Sequence, residues 1–304
     1  MQHGQHTQLD APTTNRTRSC YANIHPSPLL QLHSSFLSVK QTHSHTPRER
    51  DMVGVLSNKI SKDELKPGDH IYTWRNAYLY SHHGIYCGDG KVIHFTRGAG
   101  HEIGTGTTLD RIIFSSSSSH PSDAPCPRCG DQSRLDGVIC SCIDCFLYGG
   151  ALYRFEYAVS PAFFLAKARG GTCTLAASDP PEDVLHRAEF LLNNGFGVYN
   201  IFKNNCEDFA IYCKTGLLVF SNVSVGRSGQ ATSFVAATSA IVSSPLRFLT
   251  TSFPGLVTVG CTMYCVSRFV SDIGVRRDVV KVVVERLVAR SGIDESEAST
   301  EMAK

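Results

Sequence analysis

The sequence predicts an α+β domain across roughly residues 60–220, with short antiparallel strands and segregated helices. Two observations carry that expectation. Runs with strand chemistry at 70–74, 82–87 and 91–95 are separated by Gly- and Asp-containing turns. Further on, two stretches carry helix start and stop signals, one ending at Gly195 and one at Gly216. No internal repeat is visible.

Order opens at Leu65-Lys66-Pro67-Gly68-Asp69, a turn leading into the first strand. The next two strands form a hairpin around Gly88-Asp89-Gly90. Residues 115–125 are a Ser-rich excursion, a cysteine cluster follows, and 152–157 reads as another strand. Asp179 is placed to cap a helix with Pro180 at its first position and Glu182 at its third. Val184, Leu185, Ala188, Leu191 and Leu192 make its apolar stripe, and Gly195 ends it. The second helix starts at Cys206 behind Asn205, a good N-cap.

With 42% hydrophobic residues the chain can bury a sizeable core. Its 29 Lys and Arg against 27 Asp and Glu give a net charge of +2, which offers no reason to invoke nucleic acid. No secretory signal opens the sequence, and five of its 12 cysteines fall within 126–145. That clustering reads as metal binding in a reducing, intracellular compartment, cytoplasmic or organellar. Cys126-Pro-Arg-Cys129 and Cys142-Ile-Asp-Cys145 are two CxxC pairs, separated by residues 130–141, whose four sulfurs suit structural zinc. Cys140 is a spare, and a redox CxxC lacks the usual βαβ setting. A closed four-sulfur site would staple a Cys-rich insertion at 113–147 rather than act on substrate. Residues 1–51 are poor in apolar and acidic residues, as a disordered extension or an organellar transit segment would be.

Cys206 is the candidate nucleophile. A thiol in the first turn of a helix meets unpaired N–H groups and the positive end of the dipole, which favour a thiolate. The same N–H groups suit an oxyanion at an attacked carbonyl. Glu207 and Asp208 oppose the effect on the thiol, so an imidazole is required. The buried alternative, a cysteine that merely packs, fits Cys213 better.

The hairpin carries His82, His83 and His94. Strand side chains alternate faces, so the turn decides which of them meet. With a two-residue turn at Asp89-Gly90, Gly88 pairs with Lys91, Ile85 faces His94, and His83 shares that side. With a three-residue loop, Cys87 pairs with Lys91, Gly84 opposes His94, and His82 joins it. Local sequence leaves both open.

HHGIYCGDGKVIHF followed by NNCEDF resembles the lecithin retinol acyltransferase type domain, closest to its plant NC-domain branch. The likeness covers roughly residues 65–218. It implies a permuted papain-like (NlpC-like) antiparallel sheet with a helix carrying the nucleophile. In the family pattern the second histidine stands twelve positions after the first, which selects His82 with His94. His82 would then be the general base, His94 the polar group orienting it, and Cys206 the nucleophile. His83 stands where the family more often has an aromatic residue, and Asp208 where many members have histidine. The resemblance implies acyl transfer or hydrolysis of a lipid ester through an acyl-cysteine, with no catalytic cofactor. A cysteine peptidase or amidase is the first alternative. A noncatalytic, membrane-associated scaffold stapled by zinc is the second.

Residues 221–304 read as a hydrophobic extension with a helix and a disordered tail. Phe248 to Ser267 carries no charge, yet it holds four Thr, two Ser and Pro254. A membrane span, a re-entrant or amphipathic attachment, and a helix packed on the domain are all open. Residues 279–288 read as a charged amphipathic helix.

Overall fold

The structure, a computed structural model of the 304-residue chain, describes residues 58–75, 80–97, 125–132, 135–167, 169–197, 205–219 and 253–288. A short 3-10 turn, Lys62–Glu64, is closed by reciprocal hydrogen bonds between Ser61 and Glu64. The chain then turns at Gly68, whose φ of +88° suits glycine, and Asp69 N–H donates to Lys66 O at 3.0 Å. Strands β1 (His70–Arg75), β2 (Tyr80–Gly88), β3 (Lys91–Thr96) and β4 (Gly137–Cys142) follow. Helix α1 (Ile143–Leu147), strand β5 (Tyr153–Arg154) and helices α2 (Pro161–Ala166), α3 (Pro181–Asn194) and α4 (Cys206–Thr215) come next. Strand β6 (Leu217–Val219), helix α5 (Phe253–Ser271) and strand β7 (Val279–Lys281) complete the described elements.

The main sheet is antiparallel throughout, in the order β4-β3-β2-β1-β5, and β6 pairs with β7 in a two-stranded ribbon. Alternation gives the sheet two unlike faces. On one, Ile85, Ile93, Phe95 and Val138 pack against Val184, Ala188 and Leu191 of α3 and Phe209, Ala210 and Cys213 of α4. On the other, Ile71 and Val92 pack against Ile143, Phe146 and Leu147 of α1 and against Leu152. Each fully buried aliphatic side chain contributes about 1.5–3 kcal/mol, so both faces help set the strand register. The cysteine-rich stretch does more than loop out, because it supplies β4 as an integral strand beside β3.

Several local expectations need correction. The N-cap of α3 is Pro180 and its first residue is Pro181. Asp179 is held instead by Arg187 at 2.6 Å and Lys281 at 2.7 Å, two cations that outbid a local cap. The predicted helix at 279–288 begins as β7, because Val279, Val280 and Lys281 find a ladder partner in β6. It turns helical only from Val284, which enters the main core. The strand at 152–157 is paired to β1 only at Tyr153 and Arg154.

Helix α5 docks by its polar end. Arg268 donates to the carbonyls of Lys167 and Phe164, and Asp272 accepts from Thr174 Oγ1 at 3.0 Å and Leu175 N at 3.2 Å. Among the described residues no helix is long and apolar enough to cross a membrane. Residues 1–51, the Ser-rich stretch up to 124, residues 228–246 and the tail after Gly292 lie outside the described residues.

Gly84 sits where β2 and β3 press closest. A Cβ there would come within 2.7 Å of Val92 Cγ1, 3.0 Å of Phe146 Cε2 and 3.1 Å of His94 Cβ. Gly84→Ala is therefore expected to destabilise the protein by about 1–3 kcal/mol. Denaturant unfolding checks this, and an unchanged midpoint would contradict the packing.

Candidate active site

The hairpin turn combines features of both expected geometries. Asp89 and Gly90 have φ of 49° and 67°, a two-residue turn of left-handed residues, and Gly88 pairs with Lys91. A register shift between Tyr86 and Gly88 then bulges Cys87 out of the ladder. Beyond the bulge Ile85 pairs with Ile93, which brings Gly84 opposite His94. His82 therefore joins His94 on one face, with His82 Nε2 and His94 Nδ1 2.9 Å apart. Phe146 of α1 covers both rings, at centroid distances of 5.3 and 5.4 Å.

This pair is the head of a longer chain. His94 Nε2 lies 2.7 Å from Ser141 Oγ, and Ser141 Oγ lies 2.5 Å from Gln132 Oε1. Gln132 Nε2 lies 2.6 Å from the carbonyl oxygen of Cys140. A carbonyl only accepts, so the Gln132 amide nitrogen faces it and Oε1 faces Ser141. Ser141 then donates to Gln132 and accepts from His94 Nε2–H. His94 Nδ1 is left as an acceptor, and His82 Nε2–H donates to it. His82 Nδ1 thus carries a lone pair. It is buried and has no hydrogen-bond partner among the described residues.

His83 is arranged differently. Its Nδ1 lies 2.8 Å from His70 Nε2 and its Nε2 lies 2.7 Å from Ser81 Oγ. His70 Nδ1 in turn meets Tyr157 Oη at 2.7 Å. Both nitrogens of His83 are occupied inside a buried chain of its own. Burial holds the imidazoles neutral. It pushes His83 and His94 down to about 3, with the Arg75 charge adding to the effect at His94. His82 also falls well below the usual histidine range, first by burial and then through His94 and Arg75.

Cys206 begins α4, as expected, and is buried. Asn205 Oδ1 accepts from Glu207 N–H at 2.9 Å and Asp208 N–H at 3.2 Å, while Asp208 accepts from Asn205 N–H at 3.2 Å. This capping box occupies two of the N–H groups that the sequence offered to an oxyanion. The body of α4 packs on the Ile85 face, and its first residue reaches the end of β2. There the Cys206 thiol donates to Ser81 O at 3.8 Å, the carbonyl of the peptide that joins Ser81 to His82. Among the described residues neither His82 nor His83 is hydrogen-bonded to the thiol.

Two electrostatic features were not read from the sequence. Asp208 is pushed up to about 8, by burial and then by Glu207. It is therefore mostly protonated at neutral pH and opposes a thiolate less than its residue type suggests. Arg75 is buried on β1, donating to Leu147 O at 3.1 Å and Phe146 O at 2.6 Å. Its charge acts on Cys206, His82 and His94 together. Arg75 carried no advance signal: it falls one residue past the strand expected at 70–74, and only the observed β1 register puts it on the His82 face. Behind the start of α4 lies a cavity of about 70 Å³ bordered by Glu207, Asp208, Arg268 and Asp272.

The four predicted metal-ligand cysteines also converge. The Sγ atoms of Cys126, Cys129, Cys142 and Cys145 all lie within 4.8 Å of one another.

A buried helix-start thiol and a buried histidine pair thus come to one end of an antiparallel sheet. The chain belongs to the lecithin retinol acyltransferase family, whose pattern matches residues 63–219. That membership implies a papain-like fold and the acyltransferase class of thiol enzymes. The chain is 56% identical over 239 residues to Protein LEAD-SENSITIVE 1 of Arabidopsis thaliana, covering 78% of this chain and 92% of that relative.

The Asp208 proton has a measurable consequence. The native state keeps it to about pH 8, whereas an unfolded chain releases it near pH 4. Between those values the native state binds more protons, so stability falls as pH rises, by at most about 1.4 kcal/mol per pH unit. Asp208→Asn is expected to flatten that fall between pH 5 and pH 8 in thermal melts. Parallel falls in both proteins would mean that Asp208 ionises normally.

Proposed function

We propose that the protein is a thiol-dependent acyltransferase or phospholipase acting on a lipid ester through an acyl-Cys206 intermediate. The observation that carries this reading is the lone pair on His82 Nδ1, one peptide away from the Cys206 thiol. The reading requires the Cys206 side chain to turn away from Ser81 O so that its proton reaches that nitrogen. The imidazolium formed on His82 donates through Nε2 to His94 and is held by the chain ending at Cys140. Arg75 favours negative charge at Cys206 and offsets part of the loss of solvent. The sulfur attacks the ester carbonyl, and the leaving alcohol takes the proton from His82. Water, an alcohol or an amine then resolves the thioester with His82 as base again. No catalytic cofactor enters this scheme.

The finer fold assignment belongs to the same proposal. Both histidines precede the cysteine in the chain, the order of a permuted papain-like domain over 60–220. The lipid substrate implies contact with a membrane surface. Helix α5, which exposes Val257, Val266 and Val270, is the segment we assign to it. The scaffold reading draws on one observation, the thiol proton directed at Ser81 O rather than at an imidazole.

Incubation with phospholipid vesicles, followed by intact-protein mass spectrometry, tests the scheme. Wild-type protein is expected to gain one acyl chain, lost in Cys206→Ala. His82→Ala is expected to lower turnover by about 10²–10⁴-fold, and His83→Ala, where folded, by less than tenfold. Loss of activity in His83→Ala with retention in His82→Ala would overturn the base assignment. Failure of the folded wild-type protein to acylate on lipid or peptide substrates would favour the scaffold.

A further inference from the structure

The cysteine cluster is built to hold a metal, and it adjoins the far end of the imidazole chain. Cys126 and Cys129 lie on a tight turn closed by Gly130 N–H donating to Cys126 O at 2.8 Å. Gly130 has φ of +74°, which frees the turn to fold back. Cys142 ends β4 and Cys145 lies in α1. Three of the four are buried, and Cys129 is half-buried. The Cys126–Cys142 and Cys129–Cys142 sulfur separations are both 3.8 Å. That is far beyond a disulfide bond of about 2.05 Å. Four sulfurs at about 2.3 Å from a tetrahedral zinc stand about 3.8 Å apart along the edges.

The placement of Gln132 and Ser141 gives the cluster a second role. Gln132 follows Cys129 by three residues, and Ser141 directly precedes Cys142. These two side chains bond to each other and hold His94 from outside. Both are buried. Any disorder in the Cys126–Cys129 turn would move Gln132 away from Cys140 O. The direction of the proton chain would then no longer be set.

We propose that Cys126, Cys129, Cys142 and Cys145 bind one tetrahedral Zn²⁺, and that this ion fixes the Gln132–Ser141–His94 chain and so the lone pair on His82. Binding displaces the thiol protons to solvent as four Zn–S bonds form, with no change of oxidation state. The ion touches no substrate, and its four positions are closed. Metal binding and the ordering of the histidines are independent of whether Cys206 acylates.

The test uses the full chain. Elemental analysis is expected to give about one zinc per chain, and cobalt substitution a tetrahedral thiolate spectrum. Long-range ¹H–¹⁵N spectra of the imidazoles are expected to show Nε2–H tautomers for His82 and His94 in the zinc form. They are expected to lose that order after chelation. Gln132→Ala serves where Cys126→Ser or Cys142→Ser fail to fold. It should keep its zinc and lose the tautomer order. Folded protein without zinc, or with iron in its place, would overturn the zinc site. Histidine signals unchanged by chelation, or by Gln132→Ala, would overturn the coupling to His94.

Discussion

The backbone carbonyl of Cys140 can only accept a hydrogen bond, and that restriction propagates through the site. It turns the Gln132 amide, which makes Ser141 a donor, which makes His94 donate outward and accept inward. The end of the sequence of constraints is a lone pair on His82 Nδ1 in a buried, neutral ring. Four side chains on three strands and one loop thus act as a single polar unit. In such a unit each member is held by its neighbours, and deleting one leaves another unsatisfied where water does not reach. The bulge at Cys87 is the backbone counterpart, because without the extra residue His94 would meet the other face of β2.

The thiol is governed by a separate balance. A helix N-terminus favours a thiolate, but here the capping box turns the N–H groups of Glu207 and Asp208 toward Asn205. What is left is a shift in charge. Asp208 holds its proton, and Arg75 brings a buried cation to the same end of the sheet. The resting thiol points at Ser81 O, a weak partner at 3.8 Å that a small side-chain rotation releases. The thiol therefore rests against the peptide that joins Ser81 to His82, on the residue next to the buried lone pair.

Much of the fold was legible because its signals are local. The helix from Cys206 to Thr215 was marked by Asn205 at one end and Gly216 at the other, and both act as caps. The hairpin was marked by alternation and by Asp89-Gly90. The bulge was not, because a register shift depends on what the partner strand and α1 bury. Strand β4 was hidden by its cysteines, which read as ligands before they read as a ladder. Cys140, Ser141 and Cys142 are in fact strand residues, with Ser141 facing His94. Gln132 and Arg75 carry no motif, and their importance exists only in three dimensions. The cap expected of Asp179 failed for a similar reason, since Lys281 lies about a hundred residues further along the chain.

The claim on which the account turns is that His82, and not His83, serves Cys206. The rate of Cys206 alkylation by a small haloacetamide, followed against pH in folded protein, measures it directly. His82→Gln is expected to slow alkylation near neutral pH and move its rise to more alkaline pH, while His83→Gln leaves the wild-type profile in place. A wild-type profile in His82→Gln, or its loss in folded His83→Gln, would contradict it.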